Sequence, residues 1–317
     1  MFRPNPGPQT EFLAASEREV LYGGSAGGGK SYAMLADPLR YMGHPQFSGL
    51  LLRHTTEELR ELIFKSQELY PKIWPGIKWS ERKMQWTAPS GARLWMSYLD
   101  RDEDVLRYQG LAFSWIGFDE LTQWGDPYAW NYMRSRLRST APDLPIFMRA
   151  TTNPGGRGHH WVKKMFIDPS AYGKAFDATD IETHEILRYP AGHEKAGRPL
   201  FKRRFIPARL SDNPYLSESG DYEAMLLSLP EQQRRQLLDG DWDIKEGAAF
   251  TEFDRNIHVV EPNEVISQFS MVSDTLYFNS ANPISVYFRN NSSGANYYNW
   301  SFGNGEFSND IHATHIY

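Results

Sequence analysis

The sequence predicts an α/β fold: a central, mainly parallel sheet flanked by helices, then a helical lid or linker, then a small β-rich segment at the carboxyl end. Three observations carry this. Short apolar runs alternate with stretches of helical spacing. The carboxyl end of each run meets glycine or polar residues, which sets a site along one edge of an open sheet. Beyond Pro262 the texture changes to Asn, Ser, Tyr and Phe in alternating patterns such as ISVYF and NYYNWSF, the period of strands.

Val20 to Tyr22 is a short apolar run that leads into GGSAGGGKS and then into YAMLADPLRYM, whose spacing suits a helix. Leu50 to Leu52 predicts a second strand and Glu57 to Tyr70 a helix. Met84 to Trp86 and Ala92 to Met96 predict a hairpin turned at Pro89, Ser90 and Gly91. Phe113 to Phe118 predicts a buried strand ending in Asp119 and Glu120, and Ile146 to Thr152 another, stopped by Asn153, Pro154, Gly155 and Gly156. From Ser170 to Asp243 the chain reads as mostly helical and irregular, with amphipathic helices at Tyr222 to Leu229 and Glu231 to Leu238 parted by Pro230. The resulting plan is a core over residues 1–169, a lid or linker over 170–262 that completes the same domain, and an incomplete β segment over 263–317.

A chain of 317 residues has room for that plan and for a substantial core. It has no cysteine, which excludes disulfides, thiolate zinc sites and cysteine nucleophiles. No run approaches the roughly 20 apolar residues needed to cross a bilayer, and the amino terminus carries no signal-peptide pattern, so a soluble, cytoplasmic protein with no membrane partner is expected. The net charge of −5 excludes a binder of nucleic acid whose whole surface is basic. Any such contact has to be local. Its candidates are Arg134, Arg136 and Arg138; Arg149 and Arg157; Lys163 and Lys164; and Lys202, Arg203 and Arg204, each cluster equally readable as a solvated helix face.

Gly24 to Ser31, GSAGGGKS, has the phosphate-loop pattern of Gly, four residues, Gly, Lys and Ser or Thr. Glycines at Gly24, Gly27, Gly28 and Gly29, with Ser25 and Ala26 between them, let backbone amides turn towards phosphate oxygens. Lys30 neutralises the β and γ phosphates of ATP, and Ser31 ligates Mg2+. The α/β prediction thereby sharpens to a P-loop NTPase of the RecA-like kind. Asp119, closing an apolar strand, is the second Mg2+ residue, and the adjacent Glu120 is placed to polarise a water for attack on the γ-phosphate, which favours hydrolysis over transfer. Thr151, Thr152 and Asn153 close the next strand, where polar side chains touch the γ-phosphate or the water and report whether hydrolysis has occurred; as plain turn chemistry, Asn-Pro-Gly-Gly reads equally well. Gln9 is a candidate reader of the adenine edge. For a guanidinium that stabilises charge on the transferred phosphoryl, the candidates are Arg53 and Arg107.

Taken in order, PGPQTEFLAA, LYGGSAGGGKSYAML, LLRHT, YQGLAFSWIGFDELTQW, RSRLRS, TTNPGGRGHHWVKKMF, IPARLSDNP and LLDGDWDIKEGAAF resemble successive signatures of phage terminase large subunits, from about Pro4 to Val260. The resemblance implies an ATPase with Lys30 and Ser31 in the phosphate loop, Asp119 and a catalytic Glu120, and a coupling motif at Thr151 to Asn153. It implies an ATP-driven motor that moves double-stranded DNA into a procapsid by its phosphates, in a ring of identical subunits on the portal protein, with a small terminase subunit as recruiting partner, in the host cytoplasm. Another P-loop DNA-dependent ATPase of helicase type, and a non-catalytic virion assembly protein, are the alternatives. In that family an RNase H-type nuclease should follow; here Asp274 and Asp310 are isolated, too few for a two-metal site, so no DNA cleavage by this chain is expected. The stretch from ISVYF to HATHIY instead resembles part of a PKD-type immunoglobulin-like sandwich, with Trp300 between its sheets and Gly303 to Gly305 in a hairpin turn.

Overall fold

The computed structural model describes residues 3–244, 269–271, 285–290, 298–302 and 306–316. The chain divides into two compact units, Met1–Glu246 and Gly247–Tyr317.

The first unit is built on a nine-stranded sheet: β1 (Glu19–Gly24), β2 (Ser48–Arg53), β3 (Lys78–Ser80), β4 (Gln85–Thr87), β5 (Arg93–Tyr98), β6 (Trp115–Asp119), β7 (Phe147–Thr152), β8 (Ala175–Asp177) and β9 (Lys202–Ala208). Their spatial order is β3-β4-β5-β2-β6-β7-β1-β9-β8. The strands from β5 to β9 in that order pair in parallel, while β3, β4 and β8 join antiparallel at the two edges. Helices cover the sheet, which is why β1, β6 and β7 are buried along their whole length and are apolar but for Glu19, Asp119, Arg149, Thr151 and Thr152. Successive residues serve opposite faces. Leu50 and Leu52 join Ile116, Phe118, Trp130 and Phe166 on one side, and Leu51 joins Met34, Leu62, Met96 and Trp115 on the other.

Four helices matter for placing the site: α1 (Pro8–Ala14), α2 (Lys30–Ala36), α3 (Thr56–Ile73) and α4 (Tyr128–Arg134). Thr55 and Glu58 start α3 by capping each other's amides at 3.3 Å, and Leu59, Leu62, Ile63, Ser66 and Tyr70 form its buried face. The helix expected after the glycine-rich loop tightens to a 3-10 turn at Asp37–Tyr41, where Pro38 lacks the amide that a continuing α-helix needs.

Three strands were hidden from sequence reasoning, the edge strands β3 and β8 and the interior strand β9. Lys202–Ala208 falls where helix and irregular chain were expected, yet it lies in register beside β1, with Arg203 opposite Glu19 and Ala208 opposite Gly24. Its first residues are basic, so it does not read as an interior strand. The charge is tolerated because buried Arg203 donates from Nε to Glu19 Oε2 at 2.7 Å. The same accounting corrects the basic clusters. Arg149 is fully buried, hydrogen-bonded to the carbonyls of Ala15 and Glu17 and 3.4 Å from Asp37. Arg134 pairs with Glu19, Arg204 with Glu11, Lys202 with Asp177, and Lys163 with Asp168 and Asp243. Those side chains hold the domain together.

In the second unit, β10 (Phe269–Met271), β11 (Ser285–Asn290) and β14 (Ala313–Ile316) form an antiparallel sheet, and β12 (Trp300–Ser301) pairs with β13 (Phe307–Ser308). The Trp300 ring lies 5.9 Å from Phe288 of the larger sheet, and its Nε1 donates to Asp310 O at 2.8 Å. Asp274 and the turn expected at residues 303–305 lie outside the described residues.

Candidate active site

The carboxyl ends of β1, β2, β6 and β7 converge on one edge of the sheet, and the glycine-rich loop leaves β1 there. Its first half is tied to the protein. Ser25 N donates to Ala208 O at 2.9 Å and Ala26 N to Leu237 O at 2.6 Å. Gly24, at φ 137°, has to be glycine, because a Cβ would lie 2.3 Å from Ala208 O.

The second half is turned by three side chains. Asn213 Nδ2 donates to Gly27 O at 2.6 Å, Tyr22 Oη to Gly28 O at 2.7 Å and Gln9 Nε2 to Gly29 O at 3.0 Å. In a planar trans peptide the carbonyl and the next amide point opposite ways, so these bonds aim the amides of Gly28, Gly29 and Lys30 away from the protein. Among the described residues, Gly27, Gly28 and Gly29 have no acceptor for their amides. Successive free amides leading into the positive end of α2 make an anion cradle.

Lys30 is buried, and its ammonium donates to Ser25 O at 2.6 Å. Burial pulls its pKa down, while Glu120 and Asp119 pull it back up, so both carboxylates are within electrostatic reach of the amine. Ser31 stands half-buried on the first turn of α2.

Asp119 ends β6 with no exposed surface. One carboxylate oxygen accepts the Thr151 hydroxyl, and the other pairs with Arg53 Nη2 at 2.6 Å. Glu120 follows at φ 60°, a left-handed conformation that costs a residue with a side chain about 1–3 kcal/mol and is held only where the surroundings dictate it. Burial and the neighbouring Asp119 push its pKa up, against the opposing pull of Lys30, Arg53 and a backbone hydrogen bond from Asn153. Burial works against the charge of Arg53, but Asp119, Glu120 and Glu58 more than offset it and raise its pKa.

The end of β7 is stitched to the turn after Glu120. Thr122 and Thr152 share a hydroxyl–hydroxyl hydrogen bond of 2.7 Å, Thr122 N donates to Thr152 Oγ1 at 3.2 Å, and the Thr122 hydroxyl reaches Asn153 O at 3.2 Å. Asn153 Oδ1 is buried without a hydrogen-bond partner, as is Arg53 Nε. Buried orphans of this kind cost about 1–3 kcal/mol, and a ligand at this edge could satisfy these two.

The structure therefore brings together Lys30, Asp119, Glu120, Arg53, Thr152 and Asn153. Gln9 lies against the loop, its Oε1 accepting Asn5 N at 2.6 Å while its Nε2 holds Gly29; each end keeps one further hydrogen-bonding position. Arg107 stands apart, half-exposed over the Tyr98 ring and paired with Asp104 at 2.6 Å. Sequence reasoning missed Asn213, although IPARLSDNP contains it, and Thr122, two residues beyond the carboxylate pair. Two carboxylates, a hydroxyl, an ammonium and an amide cradle suit a triphosphate with a hard, oxygen-seeking cation such as Mg2+.

Comparison with known proteins gives the family and the fold. Residues 21–257 match the family model described as terminase large subunit, T4likevirus-type, N-terminal. No curated protein matches the chain. Among solved structures, the large terminase of a thermophilic bacteriophage is similar at 17% identity and a TM-score of 0.55, over 90% of this chain and 65% of that one. The same terminase in complex with ADP is similar at 16% and 0.54, over 99% of this chain and 69% of that one. The chain thus spans about two thirds of that protein, and at such identities the likeness speaks for the shared fold.

Proposed function

The chain belongs to the terminase large-subunit family, T4likevirus-type, N-terminal, and from that premise we propose that it is the ATP-hydrolysing motor part of a DNA-packaging enzyme. The observation that carries the reading is the row of three glycine carbonyls held inward by Asn213, Tyr22 and Gln9, which turns the following amides out towards phosphate, beside buried Asp119 and half-buried Glu120.

In this reading Lys30 lies against the β and γ phosphates of ATP, and Glu120 accepts a proton from the water whose oxygen attacks the γ-phosphorus. The bond to the bridging oxygen breaks, leaving ADP and phosphate. The raised pKa of Glu120 makes it a better base than an exposed carboxylate. Ser31 and Asp119 would hold Mg2+, which shields the charge of the phosphate oxygens when bound. Arg53, at Asp119 and within reach of Glu120, supplies positive charge on the same side. Gln9 offers the remaining positions of its amide to the adenine edge. Arg107, on the outer surface, suits a role towards a neighbouring subunit.

Thr152 and Asn153 sit on the hydroxyl network that begins two residues after Glu120, so a change at the phosphate alters the end of β7. Double-stranded DNA, a portal protein, a small terminase subunit and a homo-oligomeric ring in the host cytoplasm are the partners and setting this reading takes from the family resemblance. A motor that pumps any sequence grips phosphates and does not read bases.

The test is ATP turnover by the full chain with and without duplex DNA, beside a strand-separation assay. Turnover stimulated by duplex without unwinding is the expected result. Unwinding would favour a helicase-type ATPase, and no turnover under any condition would leave an assembly protein.

A further inference from the structure

The first unit pairs Arg134, Arg149, Lys163, Lys202, Arg203 and Arg204 with acids, and leaves Arg157 and Lys164 of the same clusters unpaired among the described residues. In the helical stretch that follows the β7 turn, His159–Val162 and Lys163–Ile167, the buried residues are Trp161, Val162, Met165, Phe166 and Ile167. The opposite face carries His160, Lys163 and Lys164 at positions i, i+3 and i+4, with Arg157 three residues before His160. Lys163 is neutralised by Asp243 at 2.7 Å and Asp168 at 3.6 Å. Arg157, His160 and Lys164 meet no carboxylate among the described residues. Asp126, next to the Gly125 that faces Arg157, spends an oxygen on Tyr128 N at 2.7 Å.

This face is also wired to the nucleotide site. Gly158 N donates to Thr122 O at 2.7 Å, Trp161 Nε1 to Trp124 O at 2.8 Å and Gly155 N to His159 Nδ1 at 2.8 Å. A Cβ on Gly158 would stand 2.0 Å from Trp124 O, so the turn packs directly on the segment that follows Glu120. The basic pair Arg136 and Arg138 likewise meets no carboxylate among the described residues, but it lies away from that site. Arg136 stacks on Tyr132, Arg138 donates to Gly110 O, and Arg138 lines a cavity with Ser48 and Ser114 at the amino ends of β2 and β6, the far edge of the sheet.

We infer that Arg157, His160 and Lys164 form the surface that grips the phosphate backbone of duplex DNA, carried on the turn that Thr122 and Asn153 move. The inference rests on the motor reading. Charge complementarity, a basic face against a polyanion, selects the partner.

Binding of a labelled short duplex of mixed sequence is measured by anisotropy across a salt series, for the full chain, for Arg157→Ala with Lys164→Ala, and for the control pair Arg136→Ala with Arg138→Ala. Removing two phosphate contacts lowers the slope of log affinity against log salt by about 2 and weakens binding at least about fivefold, whereas the control pair keeps both values. Arg157→Glu with Lys164→Glu weakens it further, and matching thermal midpoints exclude misfolding. Unchanged affinity and slope in the first pair, or equal losses in both pairs, overturns this surface while the motor reading stands. Absence of duplex binding by the unaltered chain overturns both.

Discussion

The two ends of β1 carry buried charge in opposite ways. At its start, Glu19 is fully buried and has one arginine for each oxygen, Arg134 on one side and Arg203 on the other. Burial disfavours that carboxylate, but the two guanidinium groups more than compensate and hold its pKa below the ordinary value. Past its other end, Lys30 and Arg53 face Asp119 and Glu120 in a set that is not closed: Glu120 is pushed up by burial and by Asp119, sits at φ 60°, and has the orphaned atoms of Asn153 and Arg53 around it. At the first end both carboxylate oxygens are paired and one nitrogen, Arg134 Nη2, is left without a partner, which suits a cluster that serves the fold; at the other the carboxylate is strained and its charge disfavoured, which suits a place kept for a ligand. The difference separates structural from functional charge in a domain where both are deeply buried.

Substitutions sharpen or break that contrast. The largest effect falls at the open end: Glu120→Gln lowers the turnover number for ATP about 10²- to 10⁴-fold, the range of a lost general base, with nucleotide affinity retained. Steady-state ATPase and equilibrium nucleotide binding check it, and near-full turnover removes Glu120 from the chemistry. At the closed end, Glu19→Ala strands Arg203 in the interior and costs about 3–5 kcal/mol in urea unfolding. A loss below about 1 kcal/mol would mean that the two arginines find other partners.

Smaller effects follow from the links between the ends. Thr122→Val removes the hydroxyl shared with Thr152 and Asn153, and about tenfold in turnover is expected for one or two such bonds, with ATP affinity unchanged. The smallest effect is on stability against pH, and its sign differs between the two ends. The lowered pKa of Glu19 contributes stability that is present above the ordinary carboxylate value and lost as pH falls through the lowered one. The raised pKa of Glu120 contributes stability that is present below the ordinary value and lost as pH rises through the raised one. Glu120→Gln therefore melts higher than the unaltered chain at neutral pH, and the difference vanishes in acid. Thermal scans across pH that show no convergence would contradict the buried-charge account.

Much of the site was legible because its parts are local. GSAGGGKS is contiguous, and Asp119 with Glu120 directly follows an apolar strand, so spacing alone places amides, amine and carboxylates at strand ends. The strands β1, β2, β6 and β7 were legible too, because a parallel strand buried on both faces has to be apolar. By the same rule β9 was not: a strand that begins Lys-Arg-Arg reads as surface until Glu19 is seen beside it. Within the basic clusters the sequence could not separate Arg134, Arg149 and Arg203, which meet acids, from Arg157 and Lys164, which meet none among the described residues, since proximity in sequence says nothing of which acid each residue meets.

What the sequence determined by itself was the inventory and its order: a glycine loop, an acid pair, a polar strand end, and the alternation that makes a parallel sheet. Only the tertiary structure decided which charges are closed off and which are left open. Asn213 reaches Gly27 across 186 residues, and Arg203 reaches Glu19 across 184. Contacts at that separation are set by strand order and packing, whereas local spacing records only the period of one helix or strand.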